Sequence, residues 1–100
     1  MKLDKTIDGD RVVLKISGEL DSITAPDVRA TFDEVVESTP GSVVLDLSSL
    51  RVIDSSGVGA IVSLFKRLRG TETAFSVEGV QGQPLSIFKV LRLNKVFGLD

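Results

Sequence analysis

Apolar and polar residues alternate through Val12-Val13-Leu14-Lys15-Ile16-Ser17, with Val12, Leu14 and Ile16 sharing one face. This period of two marks a half-buried strand. Asp8-Gly9-Asp10, just upstream, is rich in turn residues, so residues 2–7 are expected to form the first arm of a hairpin. The second arm ends in Gly18-Glu19-Leu20-Asp21-Ser22. The period then changes. Thr24-Ala25-Pro26-Asp27 has the make-up of a helix start, with Thr24 as N-cap, Pro26 in the first turn and Asp27 on the positive end of the dipole. Val28, Phe32, Val35 and Val36 follow at helical spacing until Pro40-Gly41 stops the element.

Val43, Leu45 and Leu47 mark a third strand, apolar enough to lie centrally. A short loop then leads into a helix over residues 56–69, with Val58, Ile61, Val62, Phe65 and Leu68 on one face. Lys66, Arg67 and Arg69 fall in its last turns and Gly70 ends it, favourable for charge and termination alike. Residues 74–80 suit a fourth strand, and Pro84 opens a short helix carrying Ile87, Phe88 and Leu91. Residues 96–99 are expected as a last, brief strand. The order β-β-α-β-α-β-α-β predicts an α/β fold: one domain over residues 1–100, with helices packed on a mixed sheet of four to five strands.

Composition narrows the function. One hundred residues with 42% hydrophobic content supply one compact core and are too few for two. A net charge of -2 gives no reason to expect nucleic acid or an anionic membrane as partner. Residues 1–54 carry net -5 and residues 55–100 net +3, an imbalance that an acidic and a basic side, or chance, would equally produce. Cysteine is absent, which excludes a disulfide framework and a thiolate nucleophile. Histidine is absent too, which removes the usual general base, the Ser–His triads and most transition-metal sites. Neither catalysis nor a cofactor is expected. Met1-Lys2-Leu3-Asp4-Lys5 lacks the apolar core of a signal peptide, and no apolar run nears the length of a membrane span. A cytoplasmic domain with no direct membrane insertion is the expectation.

The chemistry concentrates in Asp54-Ser55-Ser56-Gly57-Val58-Gly59, where a strand end is expected to feed a helix start. At its plainest, Asp54 or Ser55 caps the helix and the glycines serve packing. Yet a cap needs one side chain and three polar candidates stand in a row. Two glycines in the first turns also cost roughly 1 kcal/mol each relative to alanine, which suggests a close approach to the backbone. A phosphoryl group here would meet unpaired N–H groups and the positive end of the dipole. The segment is neither Gly-x-Ser-x-Gly nor a dinucleotide fingerprint, because Gly57-Val58-Gly59 runs on to Val62 where a third glycine would stand. The carboxylates Glu19, Asp21, Asp46 and Asp54 match no metal-loop spacing, so no metal site is expected.

Gly18-Glu19-Leu20-Asp21, the apolar run Val43 to Leu47 and Asp54-Ser55-Ser56-Gly57-Val58-Gly59 together resemble the STAS domain of bacterial anti-sigma factor antagonists. The resemblance covers nearly the whole chain in element order. It implies a regulator that, unphosphorylated, binds an anti-sigma factor that is also an ATP-dependent serine kinase of GHKL type, and so frees a sigma factor for transcription. It implies phosphorylation of the hydroxyl residue after the aspartate, here Ser55 with Ser56 as the alternative, and reactivation by a PP2C-type phosphatase. Docking is implied for Glu19, Asp21, Ser22, Thr24, Asp54, Ser55, Ser56, Gly57, Val58 and Gly59. Asp54 would orient the acceptor hydroxyl or cap the helix. Many such domains run past the last strand into a final helix, which is expected to be missing here because the sequence stops at Asp100. A STAS subunit that scaffolds a stress-signalling or transporter-associated complex, and a small-ligand or nucleotide-binding domain, are the alternatives.

Overall fold

The computed structural model describes residues 1–99. β1 (Lys2–Asp8) and β2 (Arg11–Leu20) form the expected antiparallel hairpin, turned at Gly9, whose φ of 60° suits a residue without a side chain. β2 organises the sheet. Its residues from Arg11 to Lys15 pair in parallel with β3 (Ser42–Asp46), and those from Gly18 to Leu20 pair in parallel with β4 (Leu50–Ile53). A register shift between Gly18 and Glu19 lies within that second stretch. β5 (Ala74–Glu78) pairs in parallel with the other edge of β3.

α1 (Ala25–Glu37) and α2 (Ser55–Arg69) cover one face of this sheet. Val28, Phe32 and Val35 of α1 and Ile61, Leu64 and Leu68 of α2 join Leu14, Ile16, Val43, Leu45 and Val77 in a single core. Each fully buried aliphatic side chain there contributes about 1.5–3 kcal/mol. The helices run in the same direction: Arg29 and Asp33 share a groove with Ala60 and Arg67, and Asp33 pairs with Arg67. Both therefore begin at the same end of the sheet, where β2 and β4 finish.

Three expectations change. Residues 50–53 are a strand, not part of a loop. β4 continues β3 after a jog in which Leu50 N–H donates to the Leu47 carbonyl at 3.1 Å. Its outer edge is closed by a side chain, since Gln83 accepts from Ile53 N–H and donates to Ile53 C=O, both at 2.9 Å. The amide of Gln83 thus stands in for a neighbouring strand and blunts an open edge.

The expected strand at 96–99 is absent. α3 (Gly82–Val90) ends, Arg92 takes a left-handed φ of 60°, and α4 (Leu93–Val96) makes one further turn. That turn delivers Phe97 among Phe65, Phe75 and Phe88, with ring centroids 5.6–6.1 Å away. Aromatic packing outweighs the strand propensity of a short apolar run. β5 is accordingly the last strand among the described residues, and the expected helix at Pro84 is followed by a further helical turn in place of the strand expected at 96–99.

Thirdly, Thr24 does not cap α1 with its side chain. Its hydroxyl accepts from Asp21 N–H at 3.0 Å and has two acceptors for its one hydrogen, Glu19 C=O at 3.1 Å and the Asp21 carboxylate at 3.2 Å. The hydroxyl faces backwards, away from the helix it was expected to start.

Candidate functional site

Pairing of Leu20 with Ile53, and an Asp54 N–H bond to Leu20 C=O at 3.1 Å, join the end of β2 to the start of α2. This brings the segments 19–24 and 54–59 together at one end of the sheet. The turn after β2 is built around Asp21. Its carboxylate accepts from Ile23 N–H at 2.9 Å and Thr24 N–H at 3.1 Å. These backbone donors, Thr24 first and Ile23 second, hold the Asp21 carboxyl below the usual range by stabilising its charged form. Asp46, one strand away, is likewise lowered by the hydroxyl and N–H of Ser48 and by Lys15.

At α2, Asp54 is extended and its carboxylate accepts from Gly57 N–H at 3.1 Å. Asp54 is therefore the N-cap, one of the two roles expected for it. Neither serine is needed for that task. Ser55 is exposed and Ser56 half-buried, and among the described residues neither hydroxyl makes a hydrogen bond. A free hydroxyl on the first turn of a capped helix can be modified without breaking any bond that holds the fold.

The glycines separate. A Cβ on Gly57 would lie 2.7 Å from Ile53 Cγ1 and 2.8 Å from both Leu20 Cγ and the Leu20 carbonyl oxygen, so α2 touches the strand ends there. A Cβ on Gly59 would meet only an Arg29 guanidinium nitrogen, at 3.4 Å. The expected close approach thus holds for Gly57 alone. Gly57 and Val58 are buried, Val58 with 8% of its surface exposed, so their side of the helix faces the core. Glu19, Ser22, Asp54 and Ser55 are exposed, while Asp21, Thr24, Ser56 and Gly59 are partly so.

Two apolar residues at this end were not singled out from sequence. Ile23 leaves 83% of its surface in solvent, on the turn between Ser22 and Thr24, and Val52, opposite Glu19 in the register, leaves 45%. The signal for Ile23 was a lone aliphatic residue in a polar turn; Val52 was hidden with its strand. No group of three or more acidic, cysteine or histidine side chains among the described residues is placed to hold a metal. None of the described helices is long and apolar enough to cross a membrane.

A mixed five-stranded sheet whose β-to-α junction presents a capped, hydroxyl-bearing helix start defines a class, and the STAS domain family matches residues 2–100; the chain belongs to it. It is similar to the anti-sigma-B factor antagonist of Listeria monocytogenes, with 30% identity over 93 residues that span 92% of this chain and 81% of that protein. It is also 30% identical over 87 residues to the anti-sigma-F factor antagonist RsfB of Mycobacterium tuberculosis, covering 87% of this chain and 70% of that one. Among solved structures, an anti-sigma factor antagonist from Mycobacterium paratuberculosis aligns with a TM-score of 0.88 and 27% identity, over 96% of this chain and 81% of that chain.

Proposed function

We propose that this protein is an anti-sigma factor antagonist whose docking end is the junction of β2, β4 and α2. In the unmodified state that end binds an anti-sigma factor in the bacterial cytoplasm, and the sigma factor is released. Phosphorylation of Ser55 ends the interaction. The partner doubles as an ATP-dependent serine kinase of GHKL type, and a PP2C-type phosphatase returns the hydroxyl. The observation that carries this is the free, exposed Ser55 hydroxyl behind a helix already capped by Asp54.

Phosphorylation adds about -1.5 to -2 charge and three acceptor oxygens. On the first turn of α2 that charge lies at the positive end of the dipole, where the domain itself tolerates it. No hydrogen bond of the fold is given up, so the change is felt across the interface. A partner surface shaped for a small hydroxyl cannot take in a dianion and strip its water, a mismatch worth several kcal/mol. Ile23 and Val52 supply the apolar contacts of the docked state, and Glu19, Ser22 and Asp54 its polar rim.

The test is to purify the anti-sigma factor captured by the protein, add ATP and map the phosphate. Labelling of the parent at Ser55, its loss in Ser55→Ala and release of the partner on labelling are the expected results. A captured partner that transfers no phosphate, or labelling that leaves the complex intact, overturns the proposal.

A further inference from the structure

The edges of the sheet are finished differently. At β4 the Gln83 amide occupies the outer N–H and C=O of Ile53, both at 2.9 Å. At β1 the described residues place no strand beyond the hairpin: β1 pairs with β2 alone, from Lys2 to Asp8 and without a register shift. Neither a proline nor a bulge guards it. A long, regular edge of this kind leaves a row of N–H and C=O groups that can template another strand.

Residues directly opposite in an antiparallel pair share a face, so the register sorts the side chains of β1 by side. Leu3 and Ile7 lie opposite Ile16 and Val12, on the helix-covered face. Leu3 is half-buried there, while Ile7 leaves 64% of its surface in solvent. Lys2, Asp4, Thr6 and Asp8 share the other face and are all exposed. Asp8 stands opposite Arg11 in its own hairpin. Now lay a second β1 antiparallel to the first, about a two-fold axis through Lys5. Leu3 meets Ile7 of the second copy on one face, and Lys2 meets Asp8 of the second copy on the other. Arg11, Asp8 and the second copy's Lys2 then alternate in charge across the joined sheet. β5, the far edge, has no such match, because centred on itself it opposes Glu78 to Ala74.

We propose that β1 is the interface of a homodimer, in which two copies pair edge to edge in the register that joins Leu3 to Ile7 and Lys2 to Asp8. The pairing consumes both β1 edges, so the contact closes on itself and does not propagate. The two-fold axis reverses the strands, so the junctions carrying Ser55 point away from each other and stay open. The contact is one strand wide, and a dissociation constant of roughly 10–100 μM is expected. The two Lys5 side chains meet on the axis, and that like-charge contact holds the affinity down.

Sedimentation equilibrium of the full, unmodified chain from about 5 μM to about 1 mM is the test. The mean mass is expected to climb from that of one chain towards that of two. Lys2→Asp and Asp8→Lys each weaken the dimer about tenfold, because an opposite-charge pair made twice by symmetry becomes a like-charge one. The double variant recovers most of that loss. Ile7→Lys weakens the dimer at least as much, and Lys5→Thr tightens it by up to about fivefold. Amide spectra establish that each variant is folded. The mass of a single chain throughout overturns the proposal. So does a dimer that Lys2→Asp and Ile7→Lys leave at parental strength, which puts the interface elsewhere. A folded double variant no stronger than the single ones overturns the register. If Asp8→Lys unfolds against Arg11, Lys5→Thr still decides, and no tightening overturns the axis.

Discussion

The two helices that begin side by side at the end of the sheet use the same materials in opposite ways. Before α1, Asp21 gathers the backbone N–H groups of Ile23 and Thr24, and the Thr24 hydroxyl is locked between Asp21 and the Glu19 carbonyl. Before α2, Asp54 caps the helix alone through Gly57 N–H, and the hydroxyls of Ser55 and Ser56 stay unengaged. One hydroxyl is part of the architecture. The others are free for chemistry because an adjacent carboxylate does the structural work. Having an aspartate next to a hydroxyl therefore does not by itself mark a modifiable site; what marks it is which group the backbone has already claimed.

The sharpest way to break this contrast is to place charge on the unengaged hydroxyl position at Ser55. Ser55→Asp is expected to weaken binding to the anti-sigma factor by about 100-fold or more in a calorimetric titration, with its melting temperature near that of the parent. Equal affinity would remove the electrostatic mechanism. Next in size come the glycines. Gly57→Ala forces a Cβ against Leu20 and Ile53 and is expected to destabilise by about 1–3 kcal/mol. Gly59→Ala should stabilise by up to about 1 kcal/mol from helix propensity alone. Chemical denaturation that ranks the two the other way contradicts the packing described here.

A smaller pair of effects sharpens the comparison of hydroxyls. Thr24→Val leaves Asp21 N–H without its acceptor and costs about 1–2 kcal/mol. Ser55→Ala, which breaks no bond of the fold, stays within about 0.5 kcal/mol of the parent. The smallest effect is one of pH. The carboxyl of Asp21 titrates below its ordinary value, so its contribution is complete above the ordinary aspartate range and drains away as the pH falls through the lowered value. The gap in thermal stability between the parent and Asp21→Ala should be widest near neutrality and narrow on acidification below about pH 4. A gap that widens in acid would contradict the assigned sign.

What could be read in the chain follows from how local each cause is. The β1–β2 hairpin and the body of α2 declare themselves through periods of two and 3.6, which neighbours in sequence set. The Asp54-Ser55-Ser56-Gly57 segment is also local: a cap, two hydroxyls and a glycine within four residues. β4 is not. Its burial runs buried, exposed, exposed, buried, without alternation, and its edge is completed by Gln83, thirty residues on. Residues 96–99 look like a strand until Phe97 finds three rings from α2, β5 and α3. Thr24 has the right identity for a cap, but Asp21 three residues earlier competes for it.

The most direct measurement compares the anti-sigma factor's affinity for the unmodified protein with that for the protein bearing phosphoserine at position 55, alongside the thermal melt of each. The expected result is a loss of affinity of about 100-fold or more with the melts nearly superimposed. Undiminished affinity, or a loss that comes only with unfolding of the phosphorylated domain, would contradict a switch built on a hydroxyl that the fold does not need.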